Sequence, residues 1–286
     1  MAVITADAVL QERVRVFNSN RGKEKIVVLK LGGSVLTGAK AYRRAAQFLK
    51  HRTELAPHEK LVVVVSAQKL TTDTLERRAR RIGCPPGVRS LDLLWSTGEL
   101  RSVALLTLHL EAMGVSTVGL NVHETGLRFA SEHQPPPSRP RLMGLHLEAA
   151  VAQYVVVVVP GFLASREDGA IVSLGRGGSD FSAVLLSTGL GAERCELVKD
   201  VPGYFEDDPH ENARARHLPS LTFKEALQMA HQGCELVQPH ALLAAGEANL
   251  PLVIRSLGER AAFTVISRDA NDGNREPRNE PMVSEG

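Results

Sequence analysis

The sequence predicts an α/β protein built on a mainly parallel β-sheet with helices on its faces. Short apolar runs alternate along the chain with longer amphipathic segments, which is typical of parallel strands joined by crossover helices. Several of these runs consist largely of valine, as strands buried on both faces do. With 286 residues, the chain is long enough for one large α/β domain or for two closely joined lobes.

The same patterns place the individual elements. We expect strands at 26–31, 61–66, 115–120, 154–159, 195–200 and 250–256. We expect helices over 39–54, 71–83, 91–113, 141–152, 180–190, 222–232 and 238–248. Outside them we expect an N-terminal extension with helical spacing (1–24), an exposed proline-rich loop (133–140) and a disordered polar tail (269–286).

Composition argues against several classes of protein. The formal charge is only +2, which gives no strong field for nucleic acid or a membrane surface. Three widely spaced cysteines fit a reducing compartment better than a disulfide framework, and they lack metal-ligand spacing. No signal peptide is recognisable, and the apolar runs are too short to span a bilayer. We therefore expect a cytoplasmic protein.

The first glycine motif, KLGGSV, follows the first strand. Gly32, Gly33 and Ser34 offer backbone amides, and Lys30 adds a positive charge at the strand end. Phosphates are bound by such loops. The spacing is neither that of a Walker A loop nor that of a dinucleotide fingerprint. The alternative is a plain turn before a helix.

A second glycine motif, LGRGGSDFSAVLL, joins a strand to a helix. Arg176 can hold a carboxylate through two hydrogen bonds, and Ser179 and Asp180 suit the first positions of a helix, where anions bind. Taken alone, the motif indicates a small anion held at a strand-to-helix turn. The alternative is an ordinary helix cap with a surface arginine.

Two further motifs carry polar residues at expected helix starts. Thr71 and Thr72 follow the second strand and either cap a helix or contact a ligand. Glu99, in STGE, either accepts a hydrogen bond from a substrate ammonium or is a first-turn glutamate that interacts with the helix dipole.

The last motif, KDVPGYFEDDPH, follows a later strand. Its glycine turn, aromatic side chains and acidic turn either wrap a nucleotide or form a surface loop. The predicted nucleotide contacts in this motif are Lys199, Asp200, Phe205 and Asp208.

In this order and at these separations, the motifs resemble those of the catalytic domain of aspartate kinases, in the amino acid kinase superfamily. The resemblance runs from about Lys25 to Ser256. It implies a three-layer αβα sandwich with a mainly parallel central sheet. It also implies a catalytic domain at 25–268, with an acceptor lobe (25–190) and a nucleotide lobe (191–268).

The resemblance also implies roles for the acceptor-binding residues. Arg176 would bind the α-carboxylate of aspartate, and Glu99 its α-ammonium. Thr72 and Ser179 would help to fix the substrate carboxylates. The predicted substrate is therefore aspartate or an analogue that fits the same pair of charges.

For the phosphoryl group, the resemblance implies a second set of residues. Lys30 would neutralise the transferring group, and Asp180 would organise the charged groups around it. Gly32, Gly33 and Ser34 would donate hydrogen bonds. ATP and Mg²⁺ are the implied cofactors, no metal-ligating residue is predicted, and a homodimer is expected.

The departures from the family pattern cluster around the nucleotide. Lys199 replaces a threonine, and His210 and Glu235 stand where an arginine and a lysine are usual. Lys69 replaces a glycine of the pattern SAMGxTTD. These changes leave open the alternative that the chain is a non-catalytic relative, which binds an amino acid or partners another kinase subunit. The residues that follow the region of resemblance are too few for the regulatory ACT domains that aspartate kinases usually carry, so we expect no feedback inhibition through such domains.

Overall fold

The computed structural model describes residues 24–82, 87–129, 140–209, 211–212, 214–234, 236–257 and 262–269. Several predictions lie outside these residues. They are the N-terminal helix, almost all of the proline-rich loop, the tail beyond Asp269, and the two departures His210 and Glu235.

Most strands of the described chain belong to one large sheet. The strands are β1 (Lys25–Leu31), β2 (Glu59–Val65), β3 (Thr117–Gly119), β4 (Leu127–Arg128), β5 (Arg141–Leu142), β6 (Val156–Pro160), β7 (Leu163–Ser165), β8 (Ile171–Ser173), β9 (Arg194–Val198), β10 (Tyr204–Phe205), β11 (His217–Leu218), β12 (Ser220–Thr222), β13 (Leu252–Arg255) and β14 (Phe263–Ser267). The large sheet has the order β12-β14-β13-β9-β1-β2-β6-β3, and of these neighbours only β13 and β14 are antiparallel.

Helices cover both faces of this sheet. They are α1 (Ala39–Leu55), α2 (Thr71–Arg80), α3 (Val88–Ala112), α4 (His146–Gln153), α5 (Gly178–Leu190), α6 (Phe223–His231) and α7 (Pro239–Glu247). Val28 and Leu29, adjacent on β1, point to opposite faces of the sheet. Leu29 packs in a core with α1 and α3, whereas Val28 packs in a core with α4 to α7. The three-layer αβα arrangement with a mainly parallel sheet is confirmed.

The structure corrects two predicted helix starts. The helix predicted over 141–152 begins only at His146, because residues 141–142 pair with β4 as a strand. The helix predicted from 91 begins at Val88, so that the STGE motif lies in its interior. Small strands were also missed: β5, β4, β7 and β8 form a second sheet, and β10 pairs with β11. Two or three residues are too few to show a strand period.

The topology brings the motifs to one edge of the sheet. β1 lies between β2 and β9. The chain first adds β2, β3 and β6 on one side of β1, and then crosses to the other side, where it adds β9, β12, β13 and β14. Such a reversal leaves a crevice beyond the carboxyl ends of the strands, where α/β proteins bind ligands. KLGGSV continues from β1 into this crevice, and Lys199 follows β9 into it.

Candidate active site

Three charged residues from distant parts of the chain form a triad at this edge. The Nζ atoms of Lys30 and Lys199 each lie 2.7 Å from an oxygen of Asp180. Lys30 comes from β1, Asp180 from the first turn of α5, and Lys199 from the residue after β9. Burial alone would raise the pKa of Asp180, but the two ammonium groups outweigh it and lower that pKa to about 2. Asp180 is therefore ionised at neutral pH, between the two lysines.

The loop after β1 packs tightly against the loop after β2. A Cβ atom on Gly33 would lie 2.6 Å from the carbonyl oxygen of Ala67, so a larger residue would push the two loops apart. The amide of Lys69 donates a hydrogen bond to the carbonyl of Gly33 over 3.1 Å. Glycine at this position thus fixes the loop beside the triad.

The second glycine motif turns the chain sharply into α5. Gly177 precedes the helix with φ 73°, in the left-handed region that favours glycine. This turn places Ser179 and Asp180 in the first turn of the helix. Asp180 is 4% exposed and its carboxylate pairs with the two lysines of the triad, which goes beyond the alternative of an ordinary helix cap; Arg176 is exposed, as that alternative expected.

A cavity of about 270 Å³ opens beside the triad. We call it the acceptor cavity. Its polar lining comes from β1, from the loop after β2 and the start of α2, from α3, and from the turn into α5. The predicted site residues that line it are Lys30, Thr72, Glu99, Arg176, Ser179 and Asp180.

Glu99 lies on the inner side of the acceptor cavity. It is 3% exposed and sits in the middle of α3, so its interpretation as a first-turn glutamate is wrong. The Ala67 amide donates to Oε1 over 3.2 Å, and Oε2 has no hydrogen-bond partner in the described chain. Burial raises the pKa of Glu99 to about 7. A buried carboxylate oxygen without a donor is suited to a cationic ligand.

Arg176 stands on the outer side of the same cavity. It is exposed, in the turn before α5, whereas Glu99 is buried below. The cavity thus has an anion at its inner side and a cation at its outer side. Thr72 and Ser179 add hydroxyl groups from the starts of α2 and α5. This arrangement matches a zwitterion that carries an additional acidic group.

A second and larger cavity, of about 600 Å³, lies on the other side of Lys199. Ser34, Lys199 and Asp200 line it, together with Arg44 of α1 and Ser256 after β13. Burial lowers the pKa of Lys199, and Asp180 acts against this shift. We call this the outer cavity. The triad lies between it and the acceptor cavity, because Lys30 and Asp180 line the acceptor cavity and Lys199 the outer one.

Two predicted nucleotide residues lie apart from both cavities. Phe205 belongs to β10, where its ring packs edge to face against His217 at 5.2 Å. Asp208 follows in the next turn, where its carbonyl accepts hydrogen bonds from Glu211 and Asn212. Neither lines the acceptor cavity or the outer cavity. Their role at a nucleotide stays a prediction.

The structure adds residues that the sequence analysis did not select. Phe162 lines the acceptor cavity with φ 68°, unusual for a residue other than glycine, and its ring packs against Trp95 at 6.0 Å. Ser66 and Ala67 line the same cavity. The only sequence signal for Phe162 is its place after Pro160 and Gly161, where a buried strand ends. Backbone amides such as that of Ala67 leave no signal in side-chain patterns.

Comparison with known proteins decides the family. A model of the amino acid kinase family matches residues 25–256. The chain belongs to the amino acid kinase family. The aspartokinase of Thermus thermophilus is 36% identical over 237 residues, which cover 81% of this chain and 56% of that enzyme. The aspartokinase of Geobacillus stearothermophilus is 32% identical over 249 residues, which cover 86% and 60%. The chain thus spans little more than half the length of these relatives.

Solved structures agree with this family. The aspartate kinase of Synechocystis is 32% identical with a TM-score of 0.72, and the match covers 86% of this chain and 40% of that one. E. coli aspartokinase III in complex with aspartate and ADP is 24% identical with a TM-score of 0.74, covering 86% and 65%. At that lower identity, the likeness establishes the fold alone. The resemblance predicted from the order of the motifs is confirmed. In the described part of the chain, no helix is both long and apolar enough to cross a membrane.

Proposed function

We propose that this chain transfers the terminal phosphoryl group of ATP to the side-chain carboxylate of L-aspartate or a close analogue, giving an acyl phosphate. One observation carries the proposal. A buried carboxylate with an unpartnered oxygen, Glu99, and an arginine, Arg176, line one cavity directly beside the Lys30–Asp180–Lys199 triad. The relatives named aspartokinase support the same reaction.

The acceptor cavity accounts for the amino acid. The α-ammonium would donate a hydrogen bond to Oε2 of Glu99, and the α-carboxylate would bind the Arg176 guanidinium. Thr72 and Ser179 would donate hydrogen bonds to the carboxylates. The side-chain carboxylate then lies toward Lys30, on the side of the triad.

Phosphoryl transfer needs two anions brought into line while their repulsion is cancelled. An oxygen of the acceptor carboxylate forms a bond to the terminal phosphorus, the bond from that phosphorus to the bridging oxygen breaks, and ADP leaves. The carboxylate is already ionised at neutral pH, so no general base is required. Lys30 and Lys199 stabilise the charge on the transferring oxygens, and Asp180 holds both ammonium groups in place.

Mg²⁺ would bind at this site together with the triphosphate of ATP. No group of three or more His, Cys, Asp or Glu side chains in the described residues could hold a metal ion alone. Mg²⁺ commonly uses substrate phosphates, water and one or two carboxylates as ligands. Asp200 supplies a carboxylate in the outer cavity, beside Ser34 and Lys199. The ion would neutralise phosphate charge there.

Calorimetric titration with L-aspartate tests the acceptor site. We expect Arg176→Ala to weaken binding by about 2–4 kcal/mol, because the α-carboxylate loses a charged hydrogen-bonding partner. Arg78→Ala is the matched control, since Arg78 is exposed on α2 and lines neither cavity. Equal affinity in the two variants would remove Arg176 from the site. A cytoplasmic location and a homodimer stay predictions.

A further inference from the structure

We propose that Lys69 is a further catalytic residue, which brings a third ammonium group to the transferring phosphoryl group. The inference rests on the proposed phosphoryl transfer.

The charge balance of the triad gives the reason for a third cation. Lys30 and Lys199 share one counter-ion, Asp180, at 2.7 Å each, so the formal charge of the triad is only +1. A terminal phosphate carries close to two negative charges, and the acceptor carboxylate adds another. Another cation near the transferring group would therefore lower the repulsion between the two reactants.

The position of Lys69 fits this role. Its backbone amide donates to the carbonyl of Gly33 over 3.1 Å, within the loop predicted to hold the phosphoryl group. Residues on either side of it, Ala67 and Thr72, line the acceptor cavity. Lys69 itself lines neither cavity, so its exposed side chain would reach the transferring group from the loop that is bonded to Gly33.

The backbone around Lys69 is fixed rather than loose. Leu70 has φ 67°, a left-handed conformation that is strained for a branched side chain. The residue is 63% exposed, so packing of Leu70 does not explain the strain. The Thr71 amide donates to the Gln68 carbonyl over 2.9 Å and closes the turn. The turn therefore holds Lys69 beside Gly33.

The Lys69 side chain is available for a ligand. It is exposed, and within the described chain its ammonium makes no hydrogen bond or ion pair. A flexible lysine can follow the phosphoryl group as it moves from donor to acceptor. In the transfer, the bond between the terminal phosphorus and the bridging oxygen breaks as the bond to the carboxylate oxygen forms. Lys69 binds a non-bridging oxygen throughout, and no proton moves.

Steady-state kinetics of Lys69→Met and Lys69→Arg test this role. Methionine keeps much of the side-chain length without the charge, and arginine restores a cation. Lys25→Met is the matched control, because Lys25 is exposed at the opposite end of β1, roughly 16 Å from Lys30 along the strand. We expect kcat of Lys69→Met to fall about 10- to 100-fold with KM for aspartate within about 2-fold, and Lys69→Arg to recover part of the loss. A kcat for Lys69→Met equal to that of the control would overturn the inference.

Equilibrium binding separates this inference from the proposed function. If the wild-type chain forms no acyl phosphate, the proposed reaction fails, and titration with magnesium-bound AMP-PNP and with ADP still tests Lys69. We expect Lys69→Met to weaken AMP-PNP binding about 3- to 10-fold and to leave ADP binding unchanged, because only AMP-PNP carries the terminal phosphate. Equal loss for both nucleotides, or no loss, would contradict a contact with that phosphate.

Discussion

Glu99 and Asp180 are two buried carboxylates that line one cavity and have opposite pKa shifts. Burial acts to raise both pKa values. Asp180 has two ammonium partners, which lower its pKa to about 2, whereas Glu99 has only backbone donors and its pKa is raised to about 7. Two carboxylates whose environments separate their pKa values in this way commonly have different roles in a site. Asp180 holds the two lysines in place, and Glu99 is left to bind a cation that the ligand brings.

The pKa of Glu99 predicts a pH dependence of acceptor binding. Since only the ionised carboxylate attracts the α-ammonium, we expect affinity for L-aspartate to rise about tenfold between pH 6 and pH 8, as ionisation passes a pKa of about 7. Glu99→Gln should bind aspartate weakly and show a flat profile. Calorimetry across this range measures the effect, and an equally steep profile in the variant would assign the titration to another group.

The raised pKa of Glu99 also makes the free energy of unfolding depend on pH. Because the folded chain raises the pKa of Glu99 above its ordinary 4.5, the fold holds this proton more tightly than the unfolded chain does. The free energy of unfolding therefore falls as pH rises from about 4.5 to about 7. Glu99→Gln should remove this part of the pH dependence.

At the scale of the elements, a buried ion cluster joins α1 to the sheet. Glu196 of β9 is 1% exposed and accepts hydrogen bonds from Arg52 of α1 at 2.9 Å and from Arg194 at 2.8 Å. Glu59, at the start of β2, accepts from the same two arginines. Burial alone would raise the pKa of Glu196, but Arg52, Arg194 and Arg255 outweigh it and lower that pKa. The cluster thus ties α1 to β2, β9 and β13.

Removing the charge at the centre of this cluster should destabilise the fold. We expect Glu196→Gln to lower the free energy of unfolding by about 3–5 kcal/mol, because Arg52, Arg194 and Arg255 would each lose a buried carboxylate partner. Urea unfolding measures it, with Glu76→Gln as the control: that residue pairs with Arg80 on the surface of α2, away from the cluster, and such a surface ion pair contributes up to about 1 kcal/mol. Similar losses in both variants would show that the cluster adds nothing to stability.

The elements also show where sequence reasoning succeeds. The long valine-rich strands and the longer helices were predicted within a few residues, because their periods extend over many positions. β14 (FTVIS) was missed, since it is short and mixes polar with apolar residues. α3 was predicted from residue 91 and begins at Val88; the Ser-Thr-Gly sequence before Glu99 resembles a helix start and suggested a first-turn glutamate, although the helix runs through it.

At the scale of the whole molecule, the site exists because five segments meet at one edge of one sheet. The order of the motifs predicted that Lys30, Glu99, Arg176 and Asp180 would lie together, and they line one cavity. The triad itself could not be predicted from local pattern, because Lys30 and Lys199 reach Asp180 only through the pairing of β1 with β9 and the packing of α5 on β1. The outer cavity likewise depends on the relative position of α1 and β13.

The central claim is that this assembly still performs phosphoryl transfer. The most direct measurement incubates the chain with magnesium, ATP and L-aspartate in the presence of hydroxylamine, which traps an acyl phosphate as a hydroxamate. We predict hydroxamate and ADP in equal amounts, both dependent on aspartate. Aspartate binding without hydroxamate or ADP would contradict the account, and would identify the chain as an amino-acid-binding relative that does not carry out the reaction.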